Sequence, residues 1–429
     1  MTADRPGPRF DVAVVGLGYV GMSLVHRASL AGLRVAGVDV RQEVVDGLRA
    51  GRSHVDDVSE DDLRAVTAAG FVASVDPAPL GEAAVVVICV PTPLTADGGP
   101  DLSAVCAAAR TVGRYLRPGT LVILESTSHP GTTDEVVRPI LEGSSSLRAG
   151  RDFALAFSPE RIDPGNRRFN LVTTPKIVGG HSPRCAAAAA GFYQRFVHTV
   201  VQAKGTREAE LAKIIENTYR NVNIALVNEI ARLAHDLGID VWDALHCAAT
   251  KPFGFQPFYP GAGPGGHCIP VDPGYFAYLV RANGGVFRLL DVAQEINRGM
   301  PRYVVERASL QLNRQRMSVK GAGILLLGVT YKPNISDQRE APAWEVASRL
   351  LAMGAVLSYH DPYVPKWEVG GVTIPRQHDL EVALREADLS ILLQDHAVYD
   401  PQTLVTSASL LFDTCGSTRG FASENVEVL

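Results

Sequence analysis

Phe10-Asp-Val-Ala-Val-Val15, followed at once by Gly16-Leu17-Gly18-Tyr19-Val20-Gly21, is the stretch that decides the fold. The first six residues are β-branched and apolar enough for a buried strand. Met22 to Ala31 then carries helix-type apolar spacing and is closed by Gly32, after which Arg34-Val-Ala-Gly-Val-Asp39 reads as a second strand ending in an acid. Strand, glycine turn, helix and strand in that order make the βαβ unit that holds dinucleotides. Gly16 permits the tight turn, Gly18 lets the backbone approach a pyrophosphate, and Gly21 lets helix and strand pack closely. The pyrophosphate would sit on the helix N-terminus, where free N–H groups and the dipole favour an anion. Asp39 would accept from ribose hydroxyls and repel a 2′-phosphate, which selects NAD over NADP.

Further apolar runs extend the sheet outward from this unit. Ala83-Ala-Val-Val-Val-Ile-Cys-Val90 runs into Pro91-Thr92-Pro93, Thr120-Leu-Val-Ile-Leu124 into Glu125-Ser-Thr127, and Phe153-Ala-Leu-Ala-Phe157 into Ser158-Pro-Glu160-Arg161. Ligands of a parallel sheet bind outside the carboxyl ends of its strands, so Thr92, Glu125 and Thr127 are expected near a cofactor and Glu160 and Arg161 near a ligand. Composition changes from about Gly205. Glu208 to His235 contains no Gly or Pro, and Leu211, Ile214, Ile215, Val222, Leu226, Ile230 and Leu233 predict a core-facing apolar stripe. Lys213, Asn217 and Arg220 follow i, i+4, i+7 spacing and share one helix face, where an amide between two cations suits an anionic or oxyanionic ligand. A helix of this length suits a dimer interface, with a buried core helix as the alternative.

Gly263-Pro264-Gly265-Gly266-His267-Cys268-Ile269-Pro270-Val271-Asp272-Pro273 reads as a rigid loop that presents one thiol to a ligand. Such a thiol attacks as the thiolate when its surroundings lower its pKa. A second α/β pattern follows a helical stretch ending near Arg316. Its strands are Gly323–Gly328, Ala355–Asp361, Ala387–Leu393 and Ser409–Asp413, and it has no GxGxxG, so it is expected to bind something other than a second dinucleotide. Lys332 and Arg339, in the loop after its first strand, are placed for phosphates.

The chain has 429 residues, enough for two or three domains, with 46% hydrophobic and 20% charged residues and a net charge of −5. No basic surface advertises nucleic acid. Cys89, Cys106, Cys185, Cys247, Cys268 and Cys415 show no CxxC or metal-ligand spacing, which argues for reduced thiols and neither a disulfide framework nor a metal site. The N-terminus has no signal-peptide core and no uncharged apolar run is long enough to span a bilayer, so a cytoplasmic protein without membrane contact is expected.

GLGYVG, VPTPL, EST, FSPER, EAELAKIIENTYR, GGHCIPVDP and GVTYKPNISDQRE, in that order, resemble the UDP-sugar 6-dehydrogenases of the UDP-glucose/GDP-mannose dehydrogenase family across essentially the whole chain. Thr250 to Gly261 is most similar to the UDP-N-acetyl-D-glucosamine enzymes of that family. The resemblance implies an α/β protein with two Rossmann-like doubly wound parallel-sheet domains joined by a central helical region with one long helix. Residues 1–203 would bind NAD, 204–315 would hold the dimerisation helix and the cysteine loop, and 316–429 would bind the UDP-sugar. It further implies oxidation of C6 to a carboxylate with two NAD, Cys268 capturing the intermediate aldehyde as a thiohemiacetal and then a thioester. Lys213 and Asn217 match residues beside the reacting oxygen, and Asp272 and Glu160 match acids near the hydrolytic water, with Thr127 completing the catalytic set. The implied cofactor set is Gly16, Gly18, Tyr19, Val20, Gly21, Asp39, Arg41, Pro91, Thr92, Thr127 and Arg339. The implied substrate set is Glu160, Arg161, Lys213, Asn217, Arg220, Phe258, Tyr259, Gly263, Gly265 and Lys332.

Three positions depart from the pattern. Ile162 stands where an acid is expected, Pro264 occupies a variable position, and Val271 replaces the lysine usual in the UDP-glucose branch. These bear on sugar preference, with UDP-glucose and UDP-N-acetylmannosamine as alternative substrates. A two-electron dehydrogenase or epimerase would need no thiol, and a non-catalytic nucleotide-binding regulator would not keep Lys213, Asn217 and Cys268 together.

Overall fold

Along Phe10–Val15 (β1), Val12 and Val14 enter one apolar cluster while Ala13 and Val15 enter another. A strand apolar on both faces belongs in the middle of a covered parallel sheet, and β1 pairs in parallel with Val35–Val38 (β2) and Ala83–Ile88 (β4), Val12 standing opposite both Val35 and Val85. This computed structural model describes residues 7–95, 98–163, 169–266, 269–421 and 423–429. With Val72–Ser74 (β3), Leu121–Leu124 (β5), Ala154–Phe157 (β6), Lys176–Gly180 (β7) and Val200–Gln202 (β8), the sheet order is β3-β2-β1-β4-β5-β6-β7-β8. Within this sheet β6 and β7 pair antiparallel, and the other described neighbours pair parallel. The order reverses between β1 and β4, the switch point at which such sheets bind dinucleotides.

The second sheet is wholly parallel. Gly323–Leu327 (β9), Val356–His360 (β10), Leu389–Leu392 (β13), Leu411–Asp413 (β14) and Val426–Val428 (β15) lie in the order β10-β9-β13-β14-β15, and Trp367–Val369 (β11) and Val372–Ile374 (β12) form a separate hairpin. Ile324 and Leu326 enter one cluster and Leu325 and Leu327 the other, the same two-faced burial as in β1. The expected fold class, α/β with two doubly wound parallel sheets, is the one observed. The chain divides into two compact units, Met1–Glu216 with Gly274–Asn283, and Asn217–Pro273 with Gly284–Leu429. Among the described residues no helix is long and apolar enough to cross a membrane.

The long helix, Thr206–Asp236, corrects one expectation. Of the stripe read as core-facing, Ile215, Leu226, Ile230 and Leu233 are 58%, 51%, 42% and 58% exposed. The buried face carries Lys213, Asn217, Asn221 and Asn228 among Ala209, Ile214, Ala225, Val227 and Ala231. Amides can be buried without penalty when each finds a fixed partner, and here they do: Asn217 with Asp272, Asn221 with the Ile269 carbonyl, Asn228 with Asn297.

Candidate active site

Gly16 has φ +92°, and a Cβ there would stand 2.5 Å from the Cys89 carbonyl oxygen. A Cβ on Gly21 would stand 1.9 Å from the Gly16 carbonyl oxygen, so this turn excludes side chains at both positions. Gly18 faces open space and is the N-cap of Tyr19–Leu30 (α1), which has no side-chain cap and no acid in its first turn. The first N–H groups of α1 are therefore left for an anion, and the cradle fits a dinucleotide pyrophosphate.

Asp39 follows β2 and is 6% exposed. It accepts from Leu17 N–H at 2.8 Å through one oxygen and from Arg41 N–H at 2.9 Å and Arg41 Nε at 3.3 Å through the other. Tyr19 donates its hydroxyl to Asp56 at 3.3 Å, and Val20 packs on the core below the turn. Thr92, buried, and Pro91, exposed, follow β4, the Thr92 carbonyl accepting from Tyr275. Thr127, half-buried, follows β5. Asp39→Ser keeps an oxygen for Leu17 N–H while removing the charge that opposes a 2′-phosphate, and it frees Arg41 to meet that phosphate. The ratio of kcat/KM for NAD to that for NADP should fall by about tenfold or more; an unchanged ratio would show that Asp39 does not set the preference.

Sequence reading missed a fully buried charge cluster behind Glu160. The Lys176 ammonium lies 2.9 Å from Glu125 Oε1, 3.2 Å from the Pro159 carbonyl and 3.9 Å from Glu160 Oε2, and the Tyr193 hydroxyl donates to Glu125. One cation faces two carboxylates. Burial would lower the Lys176 pKa, but Glu125 and Glu160 outweigh it and raise the value, whereas burial prevails at Glu160 and pushes its carboxyl up against the pull of Lys176. Arg161 pairs with Glu216 at 2.8 Å. Lys213 is 6% exposed, one turn beyond Glu210. Burial raises Glu210 to about 7, although it accepts from Gly131 N–H, Thr133 N–H and the Thr133 hydroxyl at 2.6 to 2.8 Å and so ties the loop after Thr127 to the long helix.

In the second unit, Asn217 donates to Asp272 Oδ2 at 2.5 Å and is 4% exposed, while Arg220 is exposed. Cys268 and His267 lie outside the described residues. A Cβ on Gly265 would stand 2.5 Å from Tyr331 Cβ, one on Gly266 would stand 2.7 Å from the Tyr331 ring, and Gly266 N–H donates to the Arg339 carbonyl at 2.9 Å. The cysteine-bearing segment and the loop after β9, separate motifs in the sequence, are thereby brought together. In that loop the Arg339 guanidinium grips Asp337, its Nε donating to both carboxylate oxygens at 3.0 Å and a terminal nitrogen to Oδ2 at 2.6 Å, and Lys332 is half-buried, its carbonyl accepting from Thr330 at 2.9 Å. A cavity of about 230 Å³ next to it is lined by Tyr259, Gly261, Gly263, Thr330, Pro333, Gln394 and Thr414. Tyr259 stacks on Trp242 with centroids 5.8 Å apart, and Phe258 meets Tyr219 edge-on.

The second sheet also explains why it differs from the first. Asp361 follows β10 as Asp39 follows β2, and it accepts from Val329 N–H at 2.8 Å, as Asp39 does from Leu17. His396 then covers it at 3.0 Å, leaving no exposed surface to offer a ribose. Among the described residues no group of three or more His, Cys, Asp or Glu could hold a metal.

Three domain signatures match this architecture: the NAD binding domain of the UDP-glucose/GDP-mannose dehydrogenase family over residues 10–197, its central domain over 207–299 and its UDP binding domain over 325–419. The chain belongs to the UDP-glucose/GDP-mannose dehydrogenase family. As a member of that family it is an NAD-binding oxidoreductase with a UDP binding domain. It is 36% identical over 389 residues to the UDP-N-acetyl-D-mannosamine dehydrogenase of Pyrococcus horikoshii, covering 90% of this chain and 89% of that protein. It is 35% identical to the UDP-N-acetyl-D-glucosamine 6-dehydrogenase of Pseudomonas aeruginosa, covering 82% and 83%. The solved structure of the Pyrococcus horikoshii UDP-D-ManNAc dehydrogenase superposes with a TM-score of 0.85 at 33% identity, covering 94% of each chain.

Proposed function

We propose that this dehydrogenase oxidises the C6 hydroxymethyl of a UDP-N-acetylhexosamine to the carboxylate in two two-electron steps, consuming two NAD per sugar. The observation that carries this reading is the packing of the glycine flank of Cys268 against Tyr331 in the loop after β9, beside the 230 Å³ cavity, with Asn217 bonded to Asp272 just after that segment. The bound NAD supplies the hydride acceptor. Lys213 and Asn217 hold the oxygen at C6, first as alkoxide and later as oxyanion. The Cys268 thiolate adds to the aldehyde carbon, forming a C–S bond; the thiohemiacetal loses hydride and proton to become a thioester. Water then cleaves that bond, releasing the carboxylate and the thiol, with Glu160 and Asp272 as the acids that take and return protons.

Residues 1–203 then bind NAD, 204–315 carry the central helix and cysteine segment, and 316–429 hold the UDP. Within the substrate set, Glu160, Arg161, Lys213, Asn217 and Arg220 serve the sugar and diphosphate, while Phe258, Tyr259, Gly263, Gly265 and Lys332 serve the UDP. The Thr250–Gly261 stretch supports UDP-N-acetyl-D-glucosamine as substrate. The similarity to the Pyrococcus horikoshii enzyme favours UDP-N-acetyl-D-mannosamine as the second reading. Assaying both, with UDP-glucose, for NADH and product decides between them. Two NADH per uronate are expected, and a ratio near one with aldehyde accumulating would refute the four-electron reaction.

The exposed stripe of Ile215, Leu226, Ile230 and Leu233 supports a homodimer or higher homo-oligomer joined through the long helix, since water contact with four large apolar side chains is relieved by self-association. Sedimentation should give at least twice the 45.9 kDa of one chain; a single species at 45.9 kDa at working concentration would refute it.

A further inference from the structure

Three buried asparagines join the two ends of the segment that contains Cys268. At its start, Gly261 N–H donates to Asn228 Oδ1 at 3.0 Å. Asn228 Nδ2 donates to Asn297 Oδ1 at 3.0 Å, and Asn297 Nδ2 donates to Asn221, to the carbonyl at 3.1 Å and to Oδ1 at 3.3 Å. Asn221 Nδ2 donates to the Ile269 carbonyl at 2.9 Å, which closes the chain at the residue after Cys268. Each amide accepts on one side and donates on the other, so the four links run in one direction, polarise one another and fix the orientation of every amide. The asparagines are 2%, 0% and 5% exposed at 221, 228 and 297. Asn221 and Asn228 occupy one face of the long helix by i, i+7 spacing, and Asn297 comes from the helix Arg288–Arg314.

Asparagine is a mediocre helix former, and an unpaired buried amide is costly, so three of them in two helix interiors need a reason. Ordinary packing would be served by leucine or alanine. What the amides supply is a link between Gly261 and Ile269 made without any charged group.

We propose that Asn221, Asn228 and Asn297 are positioning residues that tie down both ends of the Cys268 segment, so that the second oxidation depends on them and the first does not. This rests on the reading of Cys268 as the nucleophile. A misplacement of about 1 Å in a reacting group can cost ~10²-fold, whereas a step that does not use the thiol has no such dependence.

The test uses Asn221→Ala, Asn228→Ala and Asn228→Asp, the last keeping the acceptor for Gly261 while deleting the donor to Asn297. Single-turnover kinetics with enzyme in excess should show the first oxidation within about threefold of the unmodified protein and the second slowed ~10- to 100-fold in the alanine variants, with a smaller loss in Asn228→Asp. NADH per sugar falls from two towards one. Hydrogen exchange of the Gly261–Ile269 peptide should quicken about tenfold while that of β9 stays unchanged. Equal slowing of both steps, unchanged exchange at Gly261–Ile269, or failure of all three variants to fold would overturn the proposal, the last by making the amides purely structural. Cys268→Ser runs alongside as the control. If it completes both oxidations the nucleophile reading has failed, and the tie between the loop ends is then judged by hydrogen exchange alone.

Discussion

Cys268→Ser should bind both ligands, carry out the first oxidation, and all but lose the second. The first oxidation generates the aldehyde, so no thiol can have attacked before it is complete. The second needs a nucleophile on the aldehyde carbon and a good leaving group for the hydrolysis that follows. A serine hydroxyl is far less ionised than a thiol at neutral pH, and its ester is a poorer acylating agent than a thioester. The expected loss in steady turnover is roughly 10³-fold or more, with one NADH formed per enzyme-bound sugar and aldehyde either trapped or released. Rapid-mixing measurement of NADH with enzyme in excess reads this directly. Two NADH at the unmodified rate would show that Cys268 is not the nucleophile.

Lys213→Ala should slow both oxidations, by ~10²–10³-fold each, because each passes through a charged oxygen at C6. Lys213 is almost fully buried on the face of the long helix that also carries Asn217, whose amide nitrogen gives one of its two hydrogens to Asp272 and keeps the other for the oxygen at C6. An ammonium at this position supplies charge that no neighbouring amide replaces. The pattern separates the two residues sharply: the cysteine variant stops after one NADH, while the lysine variant forms both slowly. A Lys213→Ala protein with an unimpaired first oxidation would remove Lys213 from the chemistry at C6. Lys213→Met, which fills the same space without charge, distinguishes lost electrostatics from a cavity and is expected to behave like the alanine variant.

Features written in short, contiguous stretches were legible in the sequence. The βαβ unit is such a case: the periods of strand and helix, the glycines at 16, 18 and 21 and the acid at 39 lie within thirty residues, and backbone sterics at Gly16 and Gly21 admit no other residue. Strand ends at Thr92, Glu125 and Glu160 followed from the same local logic. The sidedness of the long helix did not. Its hydrophobic period was visible, but which face is buried depends on whether the polar face finds partners, and those partners are remote: Ile269 is 48 residues from Asn221 and Asn297 is 76.

Lys176 shows the same limit. As a lone lysine in Lys176–Gly180 it carries no local mark of function, yet the fold encloses it between Glu125 and Glu160 and makes it one of the largest fully buried side chains among the described residues. Composition, periodicity and glycine placement thus determined the two doubly wound sheets, the NAD cradle and the residues worth suspecting. Which of those residues are buried, which carboxylate keeps a raised pKa and what ties the cysteine segment in place were decided by tertiary structure, because burial and hydrogen-bond partnership are relations between distant parts of the chain, and no local pattern encodes a partner it does not contain.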